Sequence, residues 1–417
     1  MGRQAVFTAA VASESSAPRR PRITIVSNGH GEDAIACSIA AELLALGAEV
    51  RAIAIVGEGR AYAKLDIDLV APTQTMPSGG FIYMDWRQFW RDVWSGLGWL
   101  TWQQMSALKH QSQRADLVLA VGDIVVLAMA WLSGASYAYV GTAKSDYYLR
   151  DEARSHHPFR RWLESFLPLA PPTPYFPWER WLMGRDRCRA VFPRDSLTAA
   201  NLARFHLPIS DFGNPMMDNL EPTEPIAEIP ADEPAILILP GSRVPEAYRN
   251  WERLLAVVRH LPRHYVCFAA IASGLDPEVL DRAQHSLPRP VALIQKRFSS
   301  CLHRADAAIA MAGTATEQCV GLGKPVIAIP GAGPQFVASF AIAQATHLGH
   351  SITYVSDGAE AAAAQVQRAI EHPQPERWHQ NGTQRMGTAG ASLRIARRVF
   401  EIARETAKCE SAQTYKN

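Results

Sequence analysis

Again and again along the chain, a short run of aliphatic and β-branched residues ends in a small-residue turn and gives way to a stretch with helical spacing. "RITIVSN" passes through "GHGED" into "AIACSIAAELLALG", and "AILIL" passes through "PGSRVPE" into "WERLLAVVRHL". A run that is apolar on both faces reads as a strand buried on both sides. Such strands alternating with helices make a parallel sheet covered by helices. "EVRAIAIVG", "ADLVLAVGD", "ASYAYVGT" and "RAVFPRD" continue the pattern in the first half, and "DFGNPMMD" reads as its last element. "HYVCFAAIA", "PVALIQ", "ADAAIAMAG" and "KPVIAIPGAG" continue it in the second.

Between the halves, residues 221–234 ("EPTEPIAEIPADEP") are crowded with prolines and acids and have no period, the mark of a linker. The expected fold class is therefore α/β: two tandem Rossmann-like doubly wound domains facing a cleft, with a C-terminal helix. Residues 22–220 form the first domain and 235–385 the second. Residues 386–417 supply an amphipathic helix and a polar tail, and residues 1–21 read as a disordered extension.

Composition narrows the function. A chain of 417 residues exceeds one ordinary core, and 48% hydrophobic with 20% charged residues is usual for a folded soluble protein. A formal net charge of +2 argues against a general nucleic-acid binder. The six cysteines lie far apart without a CxxC pair, which suits reduced thiols in a cytoplasmic compartment and no zinc site. No uncharged apolar run reaches the roughly 18 residues of a transmembrane helix.

Three loops at expected strand ends in the second half point to an anion. They are Gly241-Ser242-Arg243, the "AGTATEQ" stretch with Gly313, Thr314, Ala315 and Thr316, and "PGAGPQF". Small residues let a ligand approach the backbone, and a helix N-terminus favours negative charge. Arg243 adds a fixed cation for a diphosphate. Glu317 suits a ribose, since a carboxylate accepts hydrogen bonds from two neighbouring hydroxyls. No Walker loop occurs, and "GHGED" lacks the third glycine of GxGxxG, which counts against a nicotinamide enzyme.

"ILPGSRVPE", "FGNPMMD" and "AGTATEQ" followed by "GKPVIAIP" resemble the signature segments of lipid-A-disaccharide synthase, a glycosyltransferase of the two-Rossmann-domain (GT-B) fold. "SNGHGED" is closer to a related group of cyanobacterial, plant and other bacterial proteins. The resemblance covers the chain from Arg22 to about Ala407 and is strongest in the second half. It implies a UDP-sugar donor, no metal or other cofactor, and inversion at the anomeric carbon. By residue it implies that Gly241, Ser242 and Arg243, with Gly313, Thr314, Ala315 and Thr316, hold the diphosphate. Glu317 takes the ribose, Arg297, Phe298 and Ser299 lie by the base, and Gln335 faces the sugar.

Transfer needs a general base from the other side of the cleft. His30, between Gly29 and Gly31 after the first strand, is the leading candidate because its ordinary pKa lies near working pH. Asp123 in "LAVGDIVV" is the rival base, or the carboxylate that orients His30; it also suits a helix N-cap. Asn28, Gly29, Gly31 and Asp33 are expected to line the acceptor cleft. The synthase's first loop reads like "GEASGD", and only Asp33 aligns with it here, so the acceptor chemistry need not be shared.

Nine of the eleven tryptophans fall between residues 86 and 181. In a Trp-rich insert (81–105), Trp86, Trp90 and Trp94 recur at helical spacing opposite arginines. Residues 156–190 add aromatics and prolines interleaved with arginines. That pattern belongs to a helix lying on a membrane surface, or to an aromatic core stripe. The first alternative gives a lipid acceptor and a peripheral position on the cytoplasmic face. Two other readings share the chain: a UDP-sugar 2-epimerase of the same fold, and a non-catalytic protein that binds a nucleotide-sugar or lipid.

Overall fold

The computed structural model describes residues 19–57, 59–73, 98–150, 173–285, 287–331 and 337–414. Trp86, Trp90, Trp94 and Gln335 lie outside the described residues, and so does the side chain of His30.

The first half runs β1 (Arg22–Ser27), α1 (His30–Ala45), β2 (Glu49–Ala54), α2 (Arg60–Ala63), α3 (Gly98–Ser112), β3 (Leu117–Gly122) and α4 (Ile124–Leu132). It continues with β4 (Tyr137–Gly141), α5 (Pro177–Met183), β5 (Cys188–Phe192) and α6 (Ser196–Ala203). The second half opens with β6 (Ala235–Leu239), α7 (Glu246–Val258), β7 (Val266–Ile271), α8 (Pro277–Gln284), β8 (Ala292–Gln295) and α9 (Phe298–Arg304). Then follow β9 (Ala307–Ala310), α10 (Thr314–Gly321), β10 (Val326–Ala328), α11 (Ala338–Leu348) and β11 (Ile352–Tyr354). Helices α12 (Ala359–Glu371), α13 (Pro375–Met386) and α14 (Ala391–Thr414) end the chain.

Two parallel sheets result, ordered β2-β1-β3-β4-β5 and β11-β10-β9-β6-β7-β8. The central strands β3 and β6 are buried at every residue, which is why their sequences are unbroken apolar runs rather than alternating ones. Outer helices show the opposite economy. Helix α7 turns Trp251, Leu254, Leu255 and Val258 inward, and the Trp251 indole donates to the Leu280 carbonyl at 2.9 Å.

The expected C-terminal helix is present, but it does not belong to the domain that precedes it in sequence. Helix α14 lies on α1, where Ile395, Val399, Ile402 and Ala403 complete the core of the first sheet. Each large aliphatic removed from water there contributes about 1.5–3 kcal/mol. "DFGNPMMD" forms no strand: Asn214 caps a single 3-10 turn, Pro215–Met217. Asp218 then accepts from the Gly390, Ala391 and Ser392 amides and so caps α14. A segment read as the end of the first half is thus the seat of the returning helix.

Candidate functional site

In each sheet the chain leaves the first strand to one side and later returns on the other. The reversal lies between β1 and β3 in the first domain and between β6 and β9 in the second. Loops leaving such a pair diverge and open a crevice at the carboxyl ends of the strands. The two crevices hold the "SNGHGED" and Asp123 loops on one wall, and the Gly241-Ser242-Arg243 and Gly313-Thr314 loops on the other.

On the second wall the backbone is bare. Gly241 has φ 92°, a left-handed backbone that favours glycine, and a Cβ there would crowd the Met311 carbonyl oxygen at 3.2 Å. Ser242 and Thr314 are exposed, and a Cβ on Gly313 would meet open space. Gln344, buried on α11, donates to the Ala312 and Gly313 carbonyls and fixes the loop from below. Above it α10 begins, with the unpaired amides and positive dipole end of a helix N-terminus. Arg243 is half-buried; burial lowers its pKa, while Glu246 and Glu32 oppose that shift.

Two expected donor residues are turned elsewhere, and a third meets a partner from the other domain. Thr316 is fully buried and its hydroxyl donates to the Ala312 carbonyl at 2.7 Å, so its side chain braces the helix instead of facing a diphosphate. Arg297 is turned to the linker, where both guanidinium nitrogens meet the Glu228 carboxylate; only Phe298 and Ser299, half-buried at the start of α9, remain by the expected base position. Glu317, expected to take a ribose, lies buried in the first turn of α10. Its carboxylate is 2.9 Å from the guanidinium of Arg194, which comes from the other domain.

The first wall is knitted from side chains. Asn28 reaches from the end of β1 and accepts from the Asp123 amide at 3.2 Å. Gly122 makes room for it: a Cβ there would lie 2.1 Å from Asn28 Oδ1. Asp123 caps α4 by accepting from the Val125 amide at 2.8 Å, the structural use open to it in the sequence. His30 is the first residue of α1, Gly29 is buried and Gly31 is exposed. Asp33 does not line the cleft: it is 3% exposed and accepts from Ser27 Oγ at 2.5 Å, and Ser27 in turn meets the Tyr62 hydroxyl at 2.7 Å. On a helix, adjacent side chains diverge by about 100°, so the residue that turns outward is its neighbour.

Glu32 is that neighbour, and reading the sequence missed it. It is half-buried, and burial pushes its carboxyl above the ordinary 4.5, with Asp123 and Asp33 adding to the effect and Arg243 opposing it. Its charge is thus coupled to Asp123 at the next strand end and to Arg243 of the facing domain. The signal available was its place in the first turn after a strand end, beside an acid with an inward fate. Arg194 was equally legible, since "RAVFPRD" ends a strand with an arginine as "ILPGSR" does.

No family model matches the chain. Over 156 residues it is 28% identical to lipid-A-disaccharide synthase 1 of Legionella pneumophila (strain Paris), covering 34% of this chain and 39% of that one. The match thus spans about two-fifths of the relative's length. Among solved structures, the calicheamicin glycosyltransferase CalG4 superposes with a TM-score of 0.60 at 14% identity, covering 92% of this chain and 98% of that one. The UDP-GlcNAc 2-epimerase from Neisseria meningitidis bound to UDP-GlcNAc gives 0.53 at 14% identity, covering 91% and 99%. The fold is that of the GT-B glycosyltransferases and UDP-GlcNAc 2-epimerases, two Rossmann-like domains across a cleft.

Proposed function

We propose that this protein is a glycosyltransferase that binds a UDP-sugar on the second domain and transfers the sugar, with inversion, to an acceptor held by the first. The observation that carries the reading is the β6/β9 crevice. There the left-handed Gly241, exposed Ser242 and Thr314, the half-buried Arg243 and the N-terminus of α10 surround a place suited to a diphosphate. The opposite wall offers the groups for deprotonating an acceptor hydroxyl: His30 at the head of α1, Asp123, and Glu32. Inverting displacement requires the base and the departing diphosphate on opposite sides of the sugar carbon, a need that a base from the first domain and a diphosphate on the second would meet.

An apolar acceptor, and a peripheral position at a membrane, draw support from the first domain's surface. Phe176 and Trp178 are exposed and stacked at 4.6 Å, and Trp181, also exposed, packs on Trp131. Lys144 sits 4.6 Å from the Phe176 ring and Arg185 4.2 Å from the Trp181 ring, so cations border the aromatics. This surface begins at the carboxyl end of β4, the sheet edge that also carries Asp123. Among the described residues no helix is long and apolar enough to cross a membrane.

The test is thermal stabilisation by a panel of nucleotides and nucleotide-sugars, followed by UDP release with and without lipid extracts. A shift with UDP and one UDP-sugar, with release that depends on the extract, is the expected result. A shift with no release but with conversion of the sugar at C2 would replace transfer by epimerisation, the other activity named among the structures of this fold. No shift with any nucleotide would remove the reading.

A further inference from the structure

Arg194 follows the carboxyl end of β5, immediately before Asp195, which caps α6, and reaches into the second domain. Its Nη2 lies 2.9 Å from Glu317 Oε2, and the two side chains are only 5% and 11% exposed. Beyond it Tyr148 stacks on His347 at 4.6 Å, and His347 Nε2 is 4.0 Å from Glu317 Oε1. His347 is fully buried, and burial, with Arg194 and Arg385, holds its imidazole uncharged far below the ordinary 6.5. The cation that balances Glu317 is therefore Arg194, a residue of the other domain.

An ion pair buried this deeply is a poor way to stabilise a junction, since apolar residues of similar size commonly serve as well or better. What it does supply is a carboxylate held in one orientation at the start of α10, beside the bare Gly313-Thr314 loop. One oxygen is engaged by Arg194, and a small part of the side chain stays open.

We propose that Arg194 is a positioning residue for the donor: by fixing the Glu317 carboxylate it lets the second domain read the ribose of a nucleotide, and so makes ribose recognition depend on the first domain. The proposal rests on the nucleotide-sugar reading of the β6/β9 crevice and goes beyond it in assigning a donor-site task to a residue across the cleft.

The experiment compares the calorimetric affinities of UDP and 2′-deoxy-UDP for the wild type, Arg194→Met, Arg194→Lys and Glu317→Gln. The wild type should prefer UDP by about tenfold, the scale of one good hydrogen bond. Arg194→Met and Glu317→Gln should bring that preference to within about twofold, while Arg194→Lys, which keeps a donor and a charge, should retain most of it. Arg194→Met that binds UDP as tightly as the wild type and keeps its ribose preference overturns the proposal and leaves the pair a mere strut. Should that variant fail to fold, Arg194→Lys and Glu317→Gln decide by the same ratio. A wild type that binds UDP without ribose preference removes this proposal alone; a wild type that binds no UDP removes the donor reading with it.

Discussion

The two walls of the cleft are built on opposite plans. The second-domain wall presents main chain: Gly241, Gly313 and Thr314 leave amides and space, and the side chains that shape the loop, Gln344 and Thr316, work from beneath. The first-domain wall is held by side chains, Asn28 on the Asp123 amide and Asp33 on Ser27, which also meets the Tyr62 hydroxyl. A surface of backbone amides recognises what is common to every nucleoside diphosphate. A surface of interlocked side chains fixes a few polar groups in chosen directions, as proton transfer requires. Diphosphate binding and proton transfer should therefore separate by domain, with the ribose contact alone shared through Arg194.

The sharpest way to break that division is Glu32→Gln, which removes the outward acid of the first wall and keeps its shape. Turnover is expected to fall about a hundredfold or more, with nucleotide-sugar affinity retained, measured by initial rates beside calorimetry. His30→Ala assayed alongside assigns the base between these neighbours; normal turnover in Glu32→Gln would show that the acid is not used. Arg243→Ala should do the converse, weakening the donor by about tenfold to a hundredfold, on the scale of a lost charge-assisted contact. If its effect fell on turnover alone, the second wall would not be a binding wall.

Smaller effects test the packing behind each wall. Gly122→Ala drives a methyl into Asn28 Oδ1 and should cost about 1–3 kcal/mol of stability, read from denaturant midpoints. His347 gives a pH signature. Its folded-state pKa lies below the ordinary 6.5, so the unfolded chain binds the proton first. Stability is full above about 6.5 and declines as pH falls below it, by at most about 1.4 kcal/mol per unit. His347→Gln should flatten the melting temperature between pH 6.5 and 5. Glu32 has the opposite sign, because its folded pKa is raised: stability declines as pH rises from about 4.5 through that raised value, and Glu32→Gln removes this part of the slope.

Local patterns carried far in this chain because strands buried on both faces must be apolar throughout and their turns must contain small residues. The two parallel-sheet domains were legible for that reason. Asp123 shows the boundary of such reading, since a capping acid and a cleft acid look alike in sequence, and the structure makes it the cap.

The sequence by itself determined two parallel α/β domains, and a Gly-Ser-Arg turn and a small-residue helix start at strand ends, because chain periodicity and the conformational needs of turns are local. Only the tertiary structure decided that Asp33 is sealed against Ser27 while Glu32 beside it stays half-buried, that α14 completes the first core, and that Arg194 crosses to Glu317. Each of these depends on which way a side chain turns once distant strands are side by side. That choice is made by packing and by the cost of leaving a buried charge unpaired, and neither is written at any one position.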